Sequence, residues 1–188
     1  PVNTDPAMAL GTTLVTPLEM AQAYAPFSNG GYGVSPHVIQ RIRSQGKVLY
    51  ERRGSGIGRV IDAGPLAAMN TMLSETLITG TAKKAQIAGW PAGGKTGTSQ
   101  DFRDAWFIGY TALLTTGVWL GNDDGTPTKH ATGGSIAATV WQRFMLEAHR
   151  GKPVADIPGT WRRNQSTVTD SVVTGAVPSA PVPGVPAA

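Results

Sequence analysis

The chain has 188 residues, 40% of them apolar, which is enough for the core of one domain of ordinary size. It contains no cysteine, which excludes a disulfide framework. Its net charge of +4 is spread along the chain, with basic residues in scattered pairs such as Arg52-Arg53, Lys83-Lys84 and Arg162-Arg163 and with no basic helix face and no aromatic-interleaved basic patch, so the charge reads as solvated surface and no nucleic-acid partner is expected.

Pro1 stands where an initiator Met would, and Pro1 to Ala9 reads as the middle of a loop, so a C-terminal fragment is expected. Thr16-Pro17-Leu18-Glu19 is a capping box with Pro at the first helical position; it predicts a helix to about Ser28, stopped by Asn29-Gly30-Gly31. Leu18, Ala21, Tyr24 and Ala25 share one side of that helix, a packing face. His37 to Arg43 and Lys47 to Tyr50 alternate as two strands of a surface hairpin joined at Ser44-Gln45-Gly46. Glu51 to Ile61, with Gly54, Gly56 and Gly58, reads as a connector, and Leu66, Met69, Leu73 and Leu77 predict an amphipathic helix from Pro65 to about Ile78, ended by Gly80.

Ala105 to Asn122 is an uncharged run of 18 residues, the length of a membrane span, but Trp106, Phe107, Ile108 and Tyr110 favour β structure and Thr115-Thr116-Gly117 interrupts it. Two strands are predicted, which with residues 95–99 make three antiparallel neighbours. Asp123-Asp124-Gly125 reads as turn chemistry rather than a metal site. Ser135 is read as the cap of a helix that Ile136, Val140, Phe144 and Met145 continue to about Ala148. Gly133-Gly134-Ser135-Ile136-Ala137 falls one residue short of a nucleophile elbow, and none of His37, His130 and His149 has a catalytic context; His130 is a candidate to line a cleft. The chain divides into a domain portion, 1–160, and a Pro/Ala/Val-rich tail, 161–188, expected to be disordered.

The chemistry concentrates in Gly93-Gly94-Lys95-Thr96-Gly97-Thr98-Ser99. Lys95 supplies a cation, Thr96 and Thr98 supply hydroxyls, and Gly97 leaves room for a close approach, which together suit an extended anionic ligand on a strand edge. Gly89 to Thr96 also satisfies the phosphate-loop pattern G-x-x-x-x-G-K-[ST], but no apolar strand precedes it and no helix is predicted directly after the Lys. Ser44-Gln45-Gly46-Lys47 matches S-x-x-K, yet reads as a polar β-turn rather than the start of a buried helix, and no S-x-N triplet occurs anywhere.

Lys95-Thr96-Gly97 is the third signature of class A β-lactamases and penicillin-binding proteins. The wider run from Lys95 through Trp106-Phe107-Ile108-Gly109-Tyr110 to Gly121-Asn122-Asp123-Asp124 resembles the transpeptidase domain of class A, bifunctional penicillin-binding proteins. Val15 to Tyr24, Phe27 to Gly31 and Thr132 to Ser135 resemble the same domain, over about residues 9–146.

The resemblance implies an α+β fold, an antiparallel sheet covered by helices, with the N-terminal part of the domain missing. It implies a peptidoglycan D,D-transpeptidase whose serine, upstream of Pro1, attacks the D-Ala–D-Ala bond of a stem peptide, and which β-lactams acylate. Lys95, Thr96, Gly97 and Thr98 would then bind substrate, Lys95 would also act in catalysis by setting the electrostatics around the upstream Ser-x-Asn serine, and the Thr98 N–H would form half of an oxyanion hole, where one donor contributes ~3 kcal/mol. No cofactor is implied. An upstream glycosyltransferase domain and a membrane anchor are implied as well, which would place this domain in the bacterial cell envelope, on the extracytoplasmic (periplasmic) face of the cytoplasmic membrane. A non-catalytic peptidoglycan-recognition module, a β-lactamase-like hydrolase and a nucleotide binder are the alternatives.

Overall fold

The computed structural model describes residues 6, 11, 13–54 and 56–159; the tail assigned to 161–188 lies outside the described residues. Helix α1, Pro17–Ser28, starts at the predicted capping box, where Thr16 N donates to Glu19 Oε2 at 2.7 Å and Glu19 N donates to Thr16 Oγ1 at 3.3 Å. Those two bonds satisfy amide groups that a helix start otherwise leaves unpaired. Burial concentrates in the second half of α1, where Tyr24 and Phe27 pack against the buried cluster of Leu73, Tyr110 and Ile157. Leu18, expected on the packing face, lies on the first turn and is 62% exposed.

Two short antiparallel pairs follow. Strand β1, Tyr32–Val34, pairs with β4, Gly56–Arg59, and β2, Arg41–Ser44, pairs with β3, Lys47–Glu51. The β2–β3 hairpin turns at Gln45 and Gly46, both at positive φ (48° and 79°), the primed turn that matches strand twist. The β1–β4 pair corrects the expectation of a connector over Glu51 to Ile61. Its glycines hide the apolar alternation that marks a strand, and β4 is exposed throughout. Backbone pairing and Arg59 hold it: the guanidinium donates to Gly30 O at 3.0 Å and lies 4.7 Å from the centre of the Tyr32 ring.

Helix α2, Ala63–Ile78, buries Leu66, Leu73 and Leu77 at the predicted spacing, with Met69 half-buried. A 3₁₀ turn, Lys83–Ala85, leads to the central sheet, in which β5 (Gly93–Thr98), β6 (Asp104–Tyr110) and β7 (Thr115–Gly121) lie in that order, all antiparallel. The uncharged run is therefore β6 and β7, and among the described residues no helix is long and apolar enough to cross a membrane. Successive side chains on β6 point to opposite faces. Phe107 meets Trp141 edge-on at 5.1 Å on one face, and Tyr110 stacks on Phe27 at 6.2 Å on the other.

Trp141 belongs to helix α3, Ala138–Ala148, which is preceded by a wide π turn, Gly133–Ala137. The cap is Thr132 rather than Ser135: Thr132 N donates to Ser135 Oγ at 3.1 Å and Thr132 Oγ1 donates to the same atom at 2.7 Å. The wide turn shifts the helix register, so Ala138, Trp141 and Met145 are buried while Ile136, Val140 and Phe144 stay 49%, 44% and 52% exposed.

Candidate functional site

Strand β5 is an edge of the sheet, and its two halves have different neighbours. Beside its first half runs α2, whose Thr76 Oγ1 donates to Gly94 O at 2.6 Å. That bond shows that the main chain of Gly94 faces away from β6, so by alternation the main chains of Thr96 and Thr98 face the outer edge too. The next residue agrees: Ser99 N turns inward to donate to Asp104 O at 3.0 Å, leaving the Thr98 N–H directed outward. The Lys95 ammonium folds over this edge and donates to Thr96 O at 2.9 Å. Among the described residues, no carboxylate pairs with it.

The side chains of Thr96 and Thr98 leave the strand on the face opposite to Lys95, where neighbouring segments hold both hydroxyls. Thr96 Oγ1 shares a hydrogen with Thr81 Oγ1 at 2.7 Å, and Thr98 Oγ1 accepts from Gly133 N at 3.1 Å. Because the amide occupies one lone pair of Thr98 Oγ1, the hydroxyl proton is available for an anion. The approach that makes this bond requires glycine. A Cβ on Gly133 would lie 2.1 Å from Trp106 O and 2.5 Å from Gly97 O, and one on Gly134 would lie 2.3 Å from Thr81 O.

The competing motifs fall elsewhere. Ser44 and Lys47 sit at the exposed turn of the β2–β3 hairpin, in a sheet separate from β5. Lys95 and Thr96 lie inside a strand followed by a 3₁₀ turn, Gln100–Phe102, so the phosphate-loop geometry is not formed. Asp124 accepts from Thr126 N at 3.0 Å and Thr126 Oγ1 at 2.7 Å, bonds that hold its carboxyl below the usual range and identify a turn. Among the described residues no histidine ring bonds a serine hydroxyl: His37 is exposed, His149 is buried against Thr111, and His130 lines a cleft with Lys84 and Lys129.

The sequence reading missed Thr81, Gly133 and Gly134 as neighbours of β5. Only the adjacent glycines of Thr132-Gly133-Gly134-Ser135 signalled a close backbone approach.

Comparison with known proteins identifies the family. Residues 4–146 match the Penicillin binding protein transpeptidase domain. Penicillin-binding protein 1A of Pseudomonas aeruginosa is 32% identical over 208 residues, covering 81% of this chain and 25% of that protein. The protein of the same name from Neisseria gonorrhoeae is 39% identical over 155 residues, covering 78% and 19%. The chain thus spans about a quarter or less of the length of the curated relatives it matches. Among solved structures, penicillin-binding protein PonA1 from Mycobacterium tuberculosis superposes with a TM-score of 0.73 at 24% identity, over 96% of this chain and 50% of that one. Penicillin-binding protein 1A from Haemophilus influenzae gives 0.64 at 28% identity, over 80% and 28%. With about three quarters of its residues inside the family match and an edge strand carrying Lys95-Thr96-Gly97, the chain belongs to the penicillin-binding protein transpeptidase family.

Proposed function

We propose that this chain supplies the Lys-Thr-Gly wall of a serine D,D-transpeptidase acting on peptidoglycan stem peptides. The observation that carries the reading is the outer edge of β5, where the Thr98 N–H is directed outward and the Lys95 ammonium folds over, with the Thr98 hydroxyl oriented by Gly133 N on the other face of the same strand. A stem peptide ending in D-Ala–D-Ala pairs along that edge by main-chain hydrogen bonds. Its terminal carboxylate is held by the Thr98 and Thr96 hydroxyls within the field of Lys95.

The serine comes from sequence outside these 188 residues, since the chain's S-x-x-K lies on the exposed hairpin. That serine attacks the carbonyl of the penultimate D-Ala and its proton passes to the departing D-Ala amine. The resulting ester is opened by an amine of a second stem peptide, which returns a proton to the serine. During both steps the Thr98 N–H stabilises the carbonyl oxygen as it takes on charge, a role worth ~3 kcal/mol for one donor. Lys95 sets the positive potential around the attacking group and the substrate carboxylate. A β-lactam presents the same amide and carboxylate, and acylates the same serine. We place this chemistry at the cell envelope, on the outer face of the cytoplasmic membrane.

Labelling by a fluorescent penicillin tests the reading. The intact protein is expected to carry a stable covalent label and the 188-residue chain alone none; absence of label on the folded intact protein overturns the proposal.

A further inference from the structure

A cleft of about 410 Å³ opens next to β5, between the Lys83–Ala85 turn and the segment that leads into α3. Its wall is continuous with the Lys-Thr-Gly strand. Thr81, three residues before Lys84, bonds Thr96 through its hydroxyl, and its carbonyl lies against Gly134. Lys84, Lys129 and His130 line the cleft, with Ala131 and Ile136 supplying apolar surface. Among the described residues neither lysine is paired with a carboxylate. His130 is held at φ 56° with its ring edge-on to Phe102 at 4.6 Å, which fixes the imidazole at the rim.

The two hydroxyls of the cleft already spend their protons within the fold. Ser135 Oγ donates to Thr132 O at 2.9 Å and Thr139 Oγ1 to Ser135 O at 2.8 Å. Ser135 Oγ also accepts from Thr132 N and Thr132 Oγ1, so it is saturated, and Thr139 offers a ligand only a lone pair; with no hydroxyl donor left, the lysine ammoniums dominate what the cleft recognises. A neutral amide gains little from that arrangement and a carboxylate gains a charge-assisted hydrogen bond.

We propose that this cleft is an anion subsite that takes a side-chain carboxylate of the peptide ligand, separate from the terminal carboxylate at β5. The choice of a peptide rests on the transpeptidase reading above; the preference for an anion rests on the lysines. The probe is a short peptide analogue ending in D-Ala–D-Ala with a non-cleavable reduced bond and one free side-chain carboxylate, titrated into the intact protein by calorimetry beside its amidated twin.

The acid peptide is expected to bind about tenfold tighter, the equivalent of one hydrogen bond to a charged group. Lys84→Gln/Lys129→Gln is expected to erase that preference while the amidated twin binds as before, and Lys84→Arg/Lys129→Arg to retain it. Equal binding of the two peptides by the wild type, or a preference that survives in the glutamine pair or is lost in the arginine pair, overturns the subsite. The transpeptidase reading fails separately, through absence of penicillin labelling, whereas the peptide pair alone decides the subsite.

Discussion

Gly133 N donates to Thr98 Oγ1 at 3.1 Å, joining the π turn that leads into α3 to the end of the strand that carries Lys95. The contact both seats the helix and orients a hydroxyl, and two substitutions separate these effects. Gly133→Ala inserts a methyl 2.1 Å from Trp106 O, so overpacking of about 1–3 kcal/mol is expected in urea unfolding of the intact protein, together with slower penicillin acylation. Thr98→Val removes the hydroxyl without inserting bulk at Gly133. Its acylation rate is expected to fall more than its stability, and Thr98→Ser to restore most of the rate; wild-type acylation by Thr98→Val contradicts the assigned orientation.

Tyr110 gives the fold a dependence on alkaline pH. Its hydroxyl donates to Asn70 Oδ1 at 2.5 Å, and Asn70 Nδ2 donates to Phe27 O at 3.1 Å, so one buried bridge ties β6 to α2 and α1. Burial first, and then the neighbouring Tyr24, push the Tyr110 phenol far above its ordinary value near 10. A raised value means that the folded state keeps a proton that the unfolded state releases. Stability from this group is therefore complete below about pH 10 and falls as pH rises beyond it. Tyr110→Phe is expected to flatten that decline in melts from pH 9 to 11. At pH 7 the same variant is expected to cost about 1–3 kcal/mol, because Asn70 Oδ1 loses its partner.

His149 is buried with both ring nitrogens bonded. Nδ1 faces Met145 O at 2.7 Å and must donate, so Nε2 accepts from Thr111 Oγ1 at 2.8 Å. Thr111 Oγ1 in turn accepts from Leu113 N at 3.1 Å, at the turn between β6 and β7. Thr111→Val, nearly isosteric, leaves both partners unsatisfied and is expected to destabilise by about 2 kcal/mol in chemical denaturation. Thr111→Ser is expected to recover most of the loss.

Legibility in the sequence followed how local each signal was. The α1 capping box, the Leu66–Leu73–Leu77 stripe and the Lys95 strand are encoded within a turn or a few residues, and all three appear where the residues placed them. The β1–β4 pair was hidden because β4 consists of Gly56, Ile57, Gly58 and Arg59 and buries nothing, so no alternation announces it. Leu18 is a correct helical residue whose burial depends on where the helix meets the sheet, which no local pattern states. Around the site, the Lys-Thr-Gly strand was readable, but Thr81 and Gly133 reach it from 15 and 35 residues away. Contacts of that range are set by how distant segments pack, and the glycine pair was the only local trace of the Gly133 approach.

The most direct test of the central claim is fluorescent-penicillin labelling of the intact protein, comparing wild type with Lys95→Ala and Ser44→Ala. Lys95 lies on the open strand edge and Ser44 on a remote exposed turn. The label is expected to be lost or much slowed in Lys95→Ala and unchanged in Ser44→Ala. Labelling that persists at full rate without Lys95, or that disappears with Ser44, contradicts that claim.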